Sequence, residues 1–471
     1  MNEINFFTTY SCNSRCQNCF IWKNSKDASN KKELGLEKTD KLFSDPLFVQ
    51  CPNIGLAGGE PTISPFFWNL LEILPENKRV TITTNALNST RLVDFLSRSR
   101  NKEGYLIQVS LDGLEDVNDQ VRGVKGAYQK TIDLLKKLQE LDVERLVSFT
   151  INRLNYHQLD DCYELANHYG AEFSTRLAHL GGAYLNKQNR TLYEFEKKEL
   201  EVLDRLIETI IFQELEKPCQ SPPKLIFMKK ITDYYRGIQK DLPCKALKTG
   251  IVIDLYGDVF PNCPVIMKSI GNLQEECLSD IWKGEKAIEV RKEIDAFKCG
   301  GCWNDCQAVT NIAMDKDFIE KEYEKLKFAF LEGRSIPDII DFSQDNSSLL
   351  LSGWHNLEGN ALLRFRWTEQ EFSIFLPSGT TSVEIFGMLA PFGKSDSPII
   401  MDLTTKQKKI ASLALSDSEW RNYSISLEKP IKDLTPCKFK LNRYYCPREE
   451  GASDDGRKLG LAINKIRFAR N

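Results

Sequence analysis

Apolar and polar positions change rhythm twice along this chain. Over the first ~215 residues, short apolar runs alternate with stretches in which apolar residues recur every three or four positions. The short runs predict strands at Ile4–Thr9, Asn53–Ala57, Arg79–Thr84, Tyr105–Ser110, Leu146–Ile151 and Glu172–Ala178. The longer stretches predict helices at Thr62–Leu74, Thr90–Ser97, Ala127–Leu141, Asn155–Tyr169 and Leu192–Leu215. Six strand–helix repeats imply an α/β fold: a parallel sheet with helices outside, either a partial (β/α)6 barrel or a doubly wound sheet. Right-handed crossovers would then place every strand C-terminus on one face, which is where barrels carry their chemistry. Past residue 217 the repeat fades and prolines gather at Pro218, Pro222 and Pro223. A charged helix follows, Asp315–Glu332, closed by Gly333. From Ile336 onward short alternating runs with turn residues between them predict an antiparallel, all-β sandwich. The expected division is therefore 1–217, 218–312, a linker helix 313–335, and 336–471.

Composition narrows the function classes. The 471 residues are 41% hydrophobic and 27% charged, ordinary values for a globular protein, with a net charge of −3. That charge provides no footprint for nucleic acid and no basic face for a membrane. No run reaches the ~20 apolar residues of a membrane span, and Met1–Tyr10 lacks the pattern of a secretory signal. A cytoplasmic location is expected, and in a reducing compartment clustered cysteines point to metal or redox chemistry rather than disulfides. There are 14 cysteines and 4 histidines, and His157, His168, His179 and His355 show no metal-like spacing. Sulfur is thus the expected donor, which favours iron–sulfur clusters or zinc.

The first cysteine group, Cys12-Asn-Ser-Arg-Cys16-Gln-Asn-Cys19, directly follows the first strand. Three thiolates suit an iron–sulfur cluster with one iron left open for a substrate or cofactor. Structural zinc normally closes with four ligands, and no fourth Cys or His lies nearby.

This C-x3-C-x2-C spacing resembles the signature of the radical S-adenosylmethionine (SAM) superfamily, and further motifs follow in the family's order. Gly58-Gly59-Glu60-Pro61 is similar to the GGEP motif, Thr83-Thr84-Asn85 to the turn after strand three, and Ser110-Leu111-Asp112-Gly113 to the polar end of strand four. Arg122-Gly123, followed by Gly126-Ala127-Tyr128, resembles a further stretch of the family. Taken alone, GGEP could be only a turn and Ser110–Gly113 only a strand end; the four pieces in register with strand ends are more specific. The resemblance implies that Cys12, Cys16 and Cys19 hold a 4Fe–4S cluster that binds SAM. It implies that Gly58, Gly59, Glu60 and Pro61 receive the SAM amino group, that Asn85, Ser110 and Asp112 make polar contacts, and that Arg122 reaches the SAM carboxylate. Asn18 stands where the family usually has an aromatic residue, so Phe20 is assigned to the adenine instead. The implied chemistry is reductive cleavage of SAM to a 5′-deoxyadenosyl radical, which abstracts hydrogen from a substrate. An external one-electron donor of flavodoxin or ferredoxin type is the implied partner.

Cys244, Cys263, Cys299, Cys302 and Cys306 form a second group, around Asp254-Leu-Tyr-Gly257-Asp-Val259 and Ile270-Gly-Asn-Leu273. Its pattern resembles the SPASM/Twitch extension of radical SAM enzymes and implies an auxiliary 4Fe–4S cluster. The ligands would be Cys244, Cys263, Cys299 and Cys302, with Cys306 as the alternative fourth. A zinc knuckle is the other reading of a C-x2-C pair. Cys51, Cys162, Cys219 and Cys277 read as packed residues, and Cys437 and Cys446 as free thiols.

Trp354, Glu358, Arg364–Trp367 and Asp455–Gly460 resemble a β-sandwich module fused to enzymes of surface polysaccharide assembly. Trp354, Trp367 and Trp420 read either as core aromatics or as sugar platforms. The function expected first is an oxidoreductase that oxidises or epimerises a small-molecule or glycan-linked sugar substrate. The second reading is a maturase of a ribosomally made peptide, disfavoured because the cluster motif begins at residue 12 and leaves no room for a leader-peptide-binding domain. The third is a non-catalytic binding protein with structural metal sites.

Overall fold

The computed structural model describes all residues except 27–31, 179–185, 218–219, 239–241, 264, 297–302, 345–347, 361–362, 392–397, 406–407, 416–417 and 471. They form two compact units, one of residues 1–210 and 227–314, the other of 211–226 and 315–471. No described helix is long and apolar enough to cross a membrane.

The first unit is built on one sheet. Its parallel strands are β1 (Glu3–Phe7), β2 (Asn53–Ala57), β3 (Arg79–Thr84), β4 (Tyr105–Ser110), β5 (Glu144–Ile151) and β6 (Glu172–Leu177). They pair in the order β6-β5-β4-β3-β2-β1, so each neighbour in sequence is a neighbour in space. The expected strands agree with these to within two residues at each end. The sheet does not stop at β1. A further strand, β7 (Gly250–Asp254), pairs parallel to β1 with Phe7 opposite Asp254, and β8 (Asp258–Pro261) and β9 (Gly271–Asn272) add antiparallel. The segment carrying Cys263 is thereby stitched to the strand that leads into Cys12.

Parallel strands with helices on both faces read as continuous apolar runs; these do not. Ile4, Phe6, Ile54, Leu56, Val80, Ile82, Ile107, Val109, Val147 and Phe149 are buried. The intervening positions, including Asn5, Thr81, Thr83, Gln108, Ser110, Ser148, Thr150, Ser174 and Arg176, are polar. One face thus packs against helices and the other lines a polar interior, as strand alternation requires. Gly55 belongs to that inner row, where a Cβ would lie 1.8 Å from the Asn5 side-chain oxygen.

The second unit carries two antiparallel sheets. One has the order β11 (Trp354–Gly359), β12 (Arg364–Thr368), β19 (Leu461–Arg470), β14 (Thr380–Leu389), β17 (Arg421–Ser426), with β10 (Ile339–Asp341) pairing on β19. The other has the order β13 (Glu371–Leu376), β18 (Thr435–Leu441), β15 (Ile399–Thr405), β16 (Lys408–Leu415). The helix Lys316–Leu331 belongs to the same unit and is capped by Asp315, whose carboxylate accepts from the Phe318 N–H at 3.0 Å. Trp354 packs edge-on against Phe372 at 5.0 Å and donates its indole N–H to the Ser373 carbonyl. Its ring is half-buried. Trp367 and Trp420 are half-buried around Phe365, with ring centroids at 6.1 and 5.5 Å.

Candidate active site

The loop after β1 carries Cys12, Cys16 and Cys19, and backbone pairing holds it on two sides. Towards β2, the Gly59 N–H donates to the Thr9 carbonyl at 2.7 Å and the Glu60 N–H to the Ser11 carbonyl at 2.9 Å. Towards the helix Glu115–Arg122, the Arg15 N–H donates to the Arg122 carbonyl and the Gln17 N–H to the Val121 carbonyl. Such approach demands glycine. A Cβ at Gly59 would stand 2.1 Å from the Ser11 carbonyl oxygen, and one at Gly123 (φ 66°) would stand 2.3 Å from that of Arg15.

Side chains complete the frame. Asn85 donates from its amide to Asn13 at 2.8 Å and to Ser14 at 3.1 Å, and lies 3.8 Å from the Cys12 sulfur. Glu60 is almost fully buried yet amply satisfied. One oxygen accepts from the Thr62 hydroxyl, the Thr62 N–H and the Thr84 hydroxyl, the other from the Asn85 N–H at 2.7 Å. Burial raises its pKa, and those donors offset only part of the rise. Arg122 donates to Asp112 at 3.0 Å, and Asp112, wholly buried, also accepts from the Thr150 N–H. Burial alone would lower the Arg122 pKa, but the neighbouring Cys16 and Asp112 more than reverse this.

A cavity of about 170 Å³ opens at the C-terminal ends of the strands. Cys12, Cys16, Cys19, Gly58, Gly59 and Glu60 line it, together with Asn85, Ser110 and Arg122. Thr150, Arg176, Leu177, Ala178, Asn304 and Asp305 line it as well. Three of the expected cofactor contacts are absent from this wall. Asp112 sits behind Arg122 and positions it. Pro61 is buried at the start of the turn Pro61–Ile63, and Phe20 packs against Trp22 at 6.2 Å with the Lys23 ammonium over its ring. Ile21 and Asn18 stand on the wall where Phe20 was expected.

Among the described residues, no three His, Cys, Asp or Glu side chains are placed to hold a single metal ion. A four-iron cluster asks for something else: each cysteine binds a different iron, so the three sulfurs stand apart around a space. Three thiols on one cavity wall, with an amide donor aimed at one of them, meet that requirement. Burial raises all three thiol pKa values, that of Cys19 to about 12, so the metal-free loop holds thiols and binding iron must displace protons.

In the second cysteine group, the Cys244 sulfur accepts from the Ala246 N–H at 3.5 Å and the Cys263 sulfur from the Ile266 N–H at 3.4 Å. Backbone donors of this kind suit a sulfur that carries charge. Cys299 and Cys302 lie outside the described residues, and Cys306 belongs to the helix Asp305–Ala313. Cys277 is exposed at the start of the helix Leu278–Lys283, donating to Asp280, and so is not the packed residue expected. Cys51, Cys162, Cys437 and Cys446 are buried and unbridged.

Sequence reasoning missed Arg176 and Asp305. Arg176 carried a signal: it is a charge on the polar face of a strand whose other face is Phe173, Thr175 and Leu177. Asp305 carried none, because only folding brings residue 305 to β6.

Comparison with known proteins agrees with this construction. Residues 6–167 match the radical SAM superfamily, and residues 244–307 match the SPASM iron–sulfur cluster-binding domain. The chain is 30% identical over 312 residues to the mycofactocin maturase MftC of Mycolicibacterium smegmatis, covering 62% of this chain and 73% of that protein. It is 28% identical over 165 residues to the sporulation killing factor maturation protein SkfB of Bacillus subtilis, covering 35% of this chain and 39% of that one. Among solved structures, Streptococcus suis SuiB bound to its precursor peptide SuiA aligns at 20% identity and a TM-score of 0.47, covering 61% of this chain and 66% of that one. The two family matches make a 4Fe–4S cluster, SAM and auxiliary iron–sulfur chemistry the cofactors here. With its cysteine loop pinned between the Gly58–Glu60 turn and Arg122 at the strand ends, the chain belongs to the radical SAM superfamily and carries the SPASM extension.

Proposed function

We propose that this chain is a radical SAM maturase that modifies a ribosomally made peptide. The observation that carries this reading is the likeness to proteins named as maturases, which for MftC spans 62% of this chain. The sugar-substrate reading rested on the C-terminal sandwich, and neither the family matches nor the packing of Trp354 supports a carbohydrate module there.

In this reading Cys12, Cys16 and Cys19 hold the SAM-binding cluster, which with SAM supplies a carbon radical able to abstract hydrogen. The residues around it bind and orient. The second oxygen of Glu60, which accepts only from the Asn85 N–H among the described residues, has room for the SAM ammonium. Arg122, held by Asp112, offers its remaining donors to the SAM carboxylate. Gly58 and Gly59 let the backbone come close to both. Asn85, whose amide donates to Asn13 and Ser14, holds the cysteine loop in place. Cys244 and Cys263, with Cys299, Cys302 or Cys306, hold auxiliary iron–sulfur chemistry.

The test is direct. Anaerobically reconstituted enzyme with dithionite and SAM is incubated with short peptides encoded beside its gene, and with nucleotide sugars. A mass change in a peptide, coupled to 5′-deoxyadenosine release, is the expected result. Turnover of a sugar with no peptide altered would overturn the reading.

A further inference from the structure

The cavity wall carries two pairs of opposite charges. Glu60 and Arg122 line it together with the cysteines, and SAM has an ammonium and a carboxylate to match them. A second cation and a second anion line the same wall. Arg176 of β6 and Asp305, first residue of its helix, lie 3.3 Å apart, with side chains 31% and 12% exposed. Arg176 also donates to the Gln108 side-chain oxygen at 3.1 Å. Gln108 is buried on the same strand face as Ser110, a wall residue, and its amide nitrogen has no hydrogen-bond partner among the described residues. A buried donor left this way calls for a partner that the described residues do not supply.

We infer that Arg176 and Asp305 form the substrate end of the site and grip the main-chain amide of the peptide beside the residue to be modified. This rests on the peptide reading above and adds to it the group recognised. A peptide unit presents one acceptor and one donor: its carbonyl accepts from the Arg176 guanidinium and its N–H donates to the Asp305 carboxylate. The two side chains cancel in charge, with the Glu3 carboxyl close enough to feel both, and an amide satisfies both partners where a lone carboxylate or ammonium would leave one opposed. The grip is independent of side-chain identity, which leaves sequence choice to other contacts. It also joins two distant stretches of the chain, since Arg176 comes from β6 and Asp305 from the matched residues 244–307.

The probe is a panel of N-methylamides of simple carboxylic acids, N-methylacetamide among them, each a single peptide unit, together with the corresponding methyl esters, which keep the carbonyl and lose the N–H. Binding to reconstituted holoenzyme with SAM is measured by equilibrium dialysis. At least one amide should bind the wild type more tightly than its ester. Arg176→Gln should weaken amide binding at least tenfold, and Arg176→Lys, which keeps the charge, by less. Asp305→Asn should weaken the amide but leave the ester unchanged. Iron content, melting behaviour and SAM affinity should stay at wild-type values in all three variants. Amide binding unchanged in Arg176→Gln and Asp305→Asn, or a loss confined to SAM affinity, would overturn the inference. A precursor peptide turned over equally well by wild type and Arg176→Gln would overturn it while leaving the peptide reading intact. Failure of every amide and every precursor peptide to bind would remove both.

Discussion

Two buried lysines, one in each unit, show how differently the two halves of this molecule treat charge. Lys78, just before β3, directs its ammonium at three backbone carbonyls, those of Phe48, Val49 and Cys51, at 2.8–2.9 Å. Lys327, in the helix Lys316–Leu331, is wholly buried and makes one hydrogen bond among the described residues, to the Ser348 carbonyl at 3.3 Å. Burial lowers the pKa of both, that of Lys327 to about 7. The same contrast runs through the site, where Glu60 has four donors and Asp112 has Arg122 and the Thr150 N–H. A barrel unit that must keep ions at a cavity wall surrounds each with partners. The second unit leaves Lys327 with one long hydrogen bond among the described residues, and burial lowers its pKa accordingly.

The sharpest way to break the comparison is to remove one member of a matched pair. Arg122→Met leaves Asp112 buried and unpaired, and the first unit should lose about 3–5 kcal/mol of unfolding free energy in denaturant titrations. Adding Asp112→Leu should recover most of that loss. Equal stability of the single and double variants would show that the pair is not matched as described.

Gly59→Ala tests the framing of the cysteine loop. Its Cβ would meet the Ser11 carbonyl, so the loop must move, and 5′-deoxyadenosine release should fall by roughly 100-fold while the second unit melts as before. Release within twofold of wild type would mean that the loop tolerates displacement.

Lys327 makes stability depend on pH in a direction of its own. Its pKa is lower in the folded state, so folding releases a proton between pH 7 and 10.5 and stability rises with pH there. Denaturant midpoints followed from pH 7.5 to 9 should show the second unit gaining up to about 2 kcal/mol, a gain absent from Lys327→Met.

Asp254 gives the opposite slope in the first unit, and a smaller one. Burial raises its carboxyl pKa to about 6, although it accepts from the Tyr10 hydroxyl at 2.9 Å. The folded state therefore holds the proton more tightly than the unfolded chain, and stability should fall by about 1–2 kcal/mol as pH rises from 4 to 6. Asp254→Asn should flatten that fall. A wild-type profile already flat between pH 4 and 6 would show that Tyr10 and the Tyr256 and Asp258 N–H groups stabilise the carboxylate fully.

Much of this molecule was legible in its residues. The six barrel strands, the helix capped by Asp315 and the all-β pattern of the C-terminal third follow from local alternation, because each strand or helix face must be apolar wherever it is packed. The cysteine spacing and the Gly58–Glu60, Asn85 and Ser110 segments fall at strand ends, so a parallel sheet alone brings them to one rim. What local pattern could not decide was which polar residues face the cavity and which stand behind it. Asp112, just past β4, and Arg122, the last residue of the helix Glu115–Arg122, are both charged, yet one is a buried support and the other a wall, a distinction made only by the packing of that helix. Nor could spacing show that β7 joins β1, since strand pairing across 247 residues (Glu3 with Gly250) depends on the whole sheet. The same holds for Arg176 and Asp305. Sequence determined that this chain builds a radical SAM barrel; tertiary structure decided where its second pair of charges meets, because contacts between distant segments are set by the global minimum of packing and not by any local preference.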